Sequence, residues 1–214
     1  MKQKLRGLWR ENKSFFIFIC LMFVFRSACA DWNTVPTASM KPTILEGDRI
    51  AVNKLAYDLR VPFTHISLVK LSDPQRGDIA VFDSKTSAKR LVKRVVGIPG
   101  DTVAMVNNQL IINGDAIAYE KTASNTDQLE HLFNTTHIVR INNSENHSFA
   151  NFPEVSVPAD HYLVLGDNRD LSADSRVIGF VPRNEFAGRS RAVIMSFNYD
   201  NFYIPRADRF FKNL

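Results

Sequence analysis

From Trp32 onward, apolar residues come in short runs closed by turn signals, and no segment sustains the period of an amphipathic helix. The stretches "GDRIAVNKLAY" (47–57) and "RGDIAVFDS" (76–84) each set Gly-Asp before a β-branched apolar run, as a turn feeding a strand does. "KRLVKRVVGIPGDTVAMV" (89–106) continues the pattern, and "NNQLIINGDAIAY" (107–119) places Asn-Gly-Asp between two apolar runs, which predicts a hairpin. "HYLVLGDNRD", "VIGFVP" and "RAVIMSFN" are the later strand candidates. The segment 121–157 breaks the pattern: rich in Asn, Ser and Thr, it reads as a loosely structured insertion or small cap between two halves of a β core. The expected fold is mainly β, with few short helices.

Ahead of Trp32 the pattern is different. Residues 15–25, "FFIFICLMFVF", are a run of eleven apolar residues. At ~1.5 Å per residue it covers about 17 Å of a hydrocarbon core about 30 Å thick, which suits the centre of a secretory signal better than a span. Widened to 14–30, it reaches 17 residues, the low edge for a spanning helix, with Arg26 able to snorkel to the outer interface. Ala28-Cys29-Ala30 reads as a small-x-small cleavage signature. Length alone therefore fits both a removable signal and an anchor. Orientation is set by charge: the basic residues precede the run, so residues 1–13 form a cytoplasmic tail and everything after residue 30 is exported.

The net charge of +5 adds little to this picture. Lys2, Lys4, Arg6, Arg10 and Lys13 against Glu11 put +4 in the tail, and the remaining 22 basic and 21 acidic residues nearly cancel. A nucleic-acid-binding face, which concentrates charge on the folded module, is not expected. Cys20 and Cys29 both lie in or beside the apolar run, so the rest of the chain has no disulfide framework and no cysteine-based zinc site. His65, His131, His137, His147 and His161 show no ligand spacing, so neither a metal nor a cofactor is expected. The sequons at Asn134, Asn142 and Asn146 read as accidents of composition.

Three segments carry candidate chemistry. "PTASMKPTILEGD" (36–48) sets Ser39 between two prolines, close to the end of the apolar run. "RLVKRVVGIPGD" (90–101) sets Lys93 inside a β-branched run. Strand alternation puts Leu91, Lys93 and Val95 on one face and Val92, Arg94 and Val96 on the other, so one of the two cations must face or skirt the core. A lysine in a strand ordinarily snorkels from an edge. One held among apolar neighbours loses its preference for the charged form and becomes able to take a proton. "LGDNRDLSADSRVIGFVP" (165–182) crowds charged side chains and serines into a loop after a strand.

In this order the boxes Pro-x-x-Ser-Met-x-Pro-Thr, Lys-Arg-Val-Val-Gly-x-Pro-Gly-Asp and Gly-Asp-Asn-Arg-Asp-x-Ser-x-Asp-Ser-Arg resemble the type I signal peptidases, over about residues 20–105 and 160–200. The resemblance implies antiparallel sheets in a barrel-like catalytic core, residues 31–105 and 158–214. It implies a small inserted β-rich cap at 106–157 and one transmembrane signal-anchor helix at 14–30. The anchor would be retained, with Trp32 suited to the membrane interface. Some members carry two spans, so a single short one is a departure.

The chemistry implied is a Ser/Lys dyad, with Ser39 as nucleophile and Lys93 as general base. Bringing a lysine pKa from ~10.4 down to about 8 to 9 takes roughly 2 to 3 kcal/mol of bias against the ammonium. Ser172 would orient the Lys93 amine, and the Ser39 N–H with the Thr37 hydroxyl would hold the oxyanion. The family often has Ser-Gly-Ser where this chain has Thr37-Ala38-Ser39; threonine keeps the donor, but alanine has no easy access to positive φ. Asp167 with Arg169, and Asp174 with Arg176, would brace the third loop. Val35, Met40, Ile44, Leu91 and Val92 would wall shallow pockets for small residues flanking the cut.

The activity implied is removal of signal peptides from exported preproteins after Ala-x-Ala sites, by a single-pass enzyme of the cytoplasmic membrane with its catalytic domain on the outer face. Preproteins and membrane lipids are the partners implied, with no nucleic acid and no obligate protein partner. Two other readings stand beside it: a conjugation- or pilin-type peptidase of narrow substrate range, and an inactive membrane-bound β scaffold. The presence of Ser39, Lys93 and Ser172 together argues against the scaffold.

Overall fold

The computed structural model describes residues 2–64, 66–141 and 149–214, with side chains from Asn12 onward; His65, Asn142, Asn146 and His147 lie outside them. Helix α1 (Lys2–Ala28) begins in the basic tail and passes a kink at Asn12, where φ is −115° and ψ 16°. Its apolar side chains, Phe15, Phe18, Leu21 and Phe25 among them, are exposed. Among the described residues no helix is long and apolar enough to cross a membrane. The end of α1 is tied to the body: Lys54 Nζ donates to the carbonyls of Arg26 and Ser27 at 3.1 and 3.0 Å, a cation meeting the unpaired carbonyls of a last turn. Arg26 pairs with Asp31 at 2.8 Å and lies 4.1 Å over the Trp32 ring.

After α1 the chain forms β1 (Ala30–Thr34), β2 (Asp48–Asn53), a ribbon of β3 (Asp58–Arg60) and β4 (Ser67–Lys70), and the hairpin of β5 (Ile79–Ser84) and β6 (Lys89–Gly97). Its middle gives β7 (Thr102–Val106), β8 (Gln109–Ile112), β9 (Asp115–Ala116), β10 (Ala118–Lys121), β11 (Asp127–Leu132), β12 (Thr135–Arg140) and β13 (Phe152–Ser156). The last third adds β14 (His161–Leu165), β15 (Val181–Pro182), β16 (Phe186–Asn198), β17 (Ile204–Pro205) and β18 (Lys212–Asn213). The protein is thus mainly β, built of antiparallel sheets with few helices.

The main sheet runs β1-β2-β16-β5-β6-β14-β15, with β17 and β18 also on β16. Ile79, Ala80, Val81 and Phe82 of β5 are all buried, as a continuous apolar run covered on both faces should be. Phe186 packs its ring 5.0 to 6.0 Å from those of Tyr57, Phe82 and Tyr162; each such side chain contributes about 1.5 to 3 kcal/mol on burial. The sheet's path ends at β1 and β15, and it leaves part of the β6 edge open. Among the described residues β1 pairs with β2 alone, and the first half of β6 pairs only with β5, because β14 joins from Arg94 onward. The expected barrel-like core is therefore not closed by hydrogen bonds among the described residues.

Two smaller sheets lie between β6 and β14 in the chain, ordered β13-β7-β8-β9 and β10-β11-β12. The Asn-Gly signal is met at the β8–β9 turn: Asn113 and Gly114 have φ of 56° and 87°, the two positive values of a type I′ hairpin. The segment 121–157 is more regular than its polar composition suggests. Glu130 and Leu132 face inward on β11, and His137 and Val139 do so on β12. Half of these inward positions are polar, which hides the period-2 pattern from a hydrophobicity reading.

Candidate active site

Ser39 sits in a single 3₁₀ turn, Ala38–Met40, between β1 and β2. Ala38 takes part in that right-handed turn and is not among the positive-φ residues, so alanine causes no strain there. Ser39 is 9% exposed; Thr37 is exposed beside it, its Oγ1 3.4 Å from the Ser39 hydroxyl oxygen.

Lys93, on β6, is 3% exposed and donates from Nζ to Ser39 Oγ at 2.6 Å. Burial lowers its pKa to about 8, against a partial pull upward from Asp174 and Asp167, with Arg176 adding to the fall. Such an amine is neutral in a useful fraction near neutral pH and can accept the hydroxyl proton.

The third segment closes over this pair. Asn168 donates its backbone N–H to Ser39 O at 3.0 Å and Nδ2 to Ala38 O at 3.1 Å. Gly166 lies so close that a Cβ there would stand 2.4 Å from Ser39 O and 2.2 Å from Ser172 Oγ, which only glycine allows. Ser172 is buried, and its hydroxyl has no hydrogen-bond partner among the described residues. Asp174 accepts from Gly166 N at 3.0 Å, caps the short helix Ser175–Ile178, and pairs with Arg176 at 2.7 Å.

The expected pairing of Asp167 with Arg169 is replaced by two others. Asp167 receives both Nε and Nη2 of Arg94, at 2.8 and 2.7 Å, and the Thr43 hydroxyl at 2.6 Å. Arg169 turns away in a 3₁₀ turn, Arg169–Leu171, to meet Glu130 at 2.6 Å. Strand alternation requires only one buried cation on β6; both Lys93 and Arg94 are buried, each with its own partner. Glu130, Asn168 and Thr43 were not among the expected site residues. Thr43 and Asn168 lie inside the first and third boxes, which is their signal in the sequence, whereas Glu130 is a polar residue on an inward strand face shared with Leu132.

A cleft of about 430 Å³ runs beside the pair, between residues 32–40 and 89–93. Val35, Met40, Leu91 and Val92 line it. Ile44 does not: it is fully buried and packs with Met40, Ile50, Val52 and Val193 in the core behind. A second cleft, of about 510 Å³, is lined by Arg94, His137 and Arg189 and contains neither Ser39 nor Lys93.

The family described as "Signal peptidase, peptidase S26" matches residues 8–195. Signal peptidase I of Pseudomonas aeruginosa is 35% identical over 204 residues, covering 86% of this chain and 72% of that protein. Signal peptidase I of Bacillus amyloliquefaciens is 33% identical over 200 residues, covering 92% and 91%. A crystal structure of a signal peptidase I from Enterococcus faecalis aligns at 30% identity over 56% of this chain and 98% of that one, with a TM-score of 0.38. The chain is a peptidase and belongs to the signal peptidase family, peptidase S26.

Proposed function

We propose that the chain removes N-terminal signal peptides from exported preproteins, with Ser39 as nucleophile and Lys93 as its general base. The observation that carries the reading is the 2.6 Å contact between a buried lysine and a serine hydroxyl at the edge of an open cleft. Neutral Lys93 takes the Ser39 proton while Oγ attacks the carbonyl carbon of the scissile bond. The oxyanion is held by the Ser39 N–H and the Thr37 hydroxyl. Lys93 then returns its proton to the departing amine, leaving an acyl-Ser39 ester. Water, deprotonated by the same amine, releases the acid and restores the serine. Ser172, buried beside Gly166, orients the amine.

The substrate lies as an extended strand between β1 and the first half of β6, where each has an edge left unpaired among the described residues. The cleft walls Val35, Met40, Leu91 and Val92 favour small residues at the two positions facing them, which yields the Ala-x-Ala preference. We further infer that α1 seats in the cytoplasmic membrane with its basic start inside and the sheets on the outer face. Its exposed phenylalanines and the Arg26–Trp32 stack at its far end support this.

The test is cleavage of a precursor carrying an Ala-x-Ala site by the chain with and without Lys93→Ala, with the intact mass of the enzyme recorded. Wild type should cut after the site, the variant should lose at least about 10³-fold in rate, and residue 30 should remain joined to 31. Equal cutting by both would remove Lys93 from the mechanism.

A further inference from the structure

The loop that carries Ser172 is held from outside the main sheet, by a group the dyad chemistry does not use. Arg169 is almost wholly buried, and Glu130 on β11 meets it at 2.6 Å. Both strands flanking β11 in the inserted sheet reach that carboxylate: Tyr119 of β10 donates its hydroxyl to it, and His137 Nε2 of β12 lies 3.2 Å away. Burial pushes the Glu130 carboxyl up, but Arg169 and His137 outweigh it and hold it at about 2, so it is a carboxylate throughout the working range.

Arg169 is anchored in turn. Its Nε donates to Gly166 O at 3.3 Å, and its own carbonyl accepts from Arg176 Nη2 at 2.7 Å. Its chain neighbour is Asn168, which grips the carbonyls of Ala38 and Ser39. The path from β11 to the backbone of the nucleophile therefore runs through Glu130, Arg169 and Asn168.

We propose that Glu130 is a positioning residue for the dyad: through Arg169, the inserted sheet sets where the 166–172 loop presents Asn168 and Ser172 to Ser39 and Lys93. The inference rests on the peptidase reading above and extends it to a part of the chain that reads as a variable cap. An arginine–carboxylate contact fixes direction as well as distance, and a misplacement of about 1 Å at a reacting centre costs about 10²-fold in rate.

Glu130→Gln keeps the shape and removes the charge. The full chain in detergent micelles is assayed on a short peptide with a small-x-small site, alongside hydrogen exchange of the fragment spanning 166–176. The variant should lose about 10- to 100-fold in kcat per folded molecule, with KM within about threefold of wild type. Exchange should rise in that fragment and stay unchanged in β5 and β6, and Glu130→Asp should recover most of the loss. Should E130Q fail to fold, Glu130→Leu/Arg169→Leu leaves no unpaired charge and should show the same fall in kcat. Wild-type kcat in either folded variant, or unchanged exchange at 166–176, overturns the proposal. A wild-type chain that does not cut the peptide defeats the peptidase reading alone, and the exchange result still decides the role of Glu130.

Discussion

Lys93 and Arg94 are consecutive on β6, point to opposite faces and are equally buried at 3% exposure, yet burial does opposite things to them. Arg94 meets a carboxylate in a two-pronged contact with Asp167 and gives a third hydrogen bond to Gly77 O at 2.9 Å. Its charge is matched, and the pair becomes a brace between β6 and the loop after β14. Lys93 has no carboxylate in ion-pair range among the described residues and only the Ser39 hydroxyl at its amine, so burial acts on it unopposed at close range. A buried cation paired with a carboxylate keeps its charge and suits a brace; one whose partner is a neutral hydroxyl suits a base.

Arg94→Met breaks this contrast most severely. It leaves Asp167, fully buried, with the Thr43 hydroxyl and a distant His137 in place of its guanidinium. Stripping one partner from a buried pair costs about 3 to 5 kcal/mol, so the midpoint in urea should fall sharply, with cleavage lost alongside folding. A variant with wild-type stability would mean that Asp167 is relieved by water and that the brace is dispensable.

Thr37→Val sharpens the other half. The 3.4 Å spacing between Thr37 Oγ1 and Ser39 Oγ sets the threonine hydroxyl beside the proposed nucleophile, where in that mechanism charge would develop on the carbonyl oxygen under attack. The isosteric variant keeps the methyl group and removes the donor, and kcat should fall about 10²-fold at unchanged KM, while Thr37→Ser should keep most of the rate. Equal kcat in the Thr37→Val variant and the wild type would assign the oxyanion to backbone donors alone.

These two residues also mark where the sequence is informative and where it is silent. The apolar runs and the Asn-Gly turn made β5, β6 and the β8–β9 hairpin readable, because strand formation there follows from local pattern. Alternation along β6 sets the two cations on opposite faces, but a face is not a partner. Asp167 and Arg169 look like a pair in a short loop, yet the 3₁₀ turn beginning at Arg169 swings the guanidinium toward a strand 39 residues earlier in the chain. Glu130 and His137 occupy inward positions that a hydrophobicity pattern expects to be apolar, so the sheet they belong to reads as loop. Ile44, expected among the pocket walls, lies instead fully buried in the core behind them, because nearness in sequence to Ser39 does not fix which way a side chain turns.

The smallest expected effect, and the most direct measure of the contrast, is its pH dependence. In the proposed mechanism activity requires the neutral amine, so with a pKa of about 8 roughly a tenth of the enzyme should be competent at pH 7, about half at pH 8 and about nine-tenths at pH 9. The rate constant kcat/KM should climb about tenfold from pH 6 to 7, about fivefold from 7 to 8, and flatten above 9. Stability carries the same signature with a definite sign. The native amine binds its proton less tightly than the unfolded one at ~10.4, so between about pH 8 and 10.4 the unfolded chain holds more protons and unfolding becomes harder as pH rises. Below pH 8 both states are protonated and the native state bears the full cost, on the order of 3 kcal/mol. Lys93→Met removes that cost along with the hydrogen bond to Ser39. The variant should therefore match or exceed wild-type stability at pH 7, lose that advantage by about pH 10, and lack the rise between. A wild-type profile that is flat from pH 6 to 9 in both rate and stability would place the Lys93 pKa outside this window and leave Ser39 without its base.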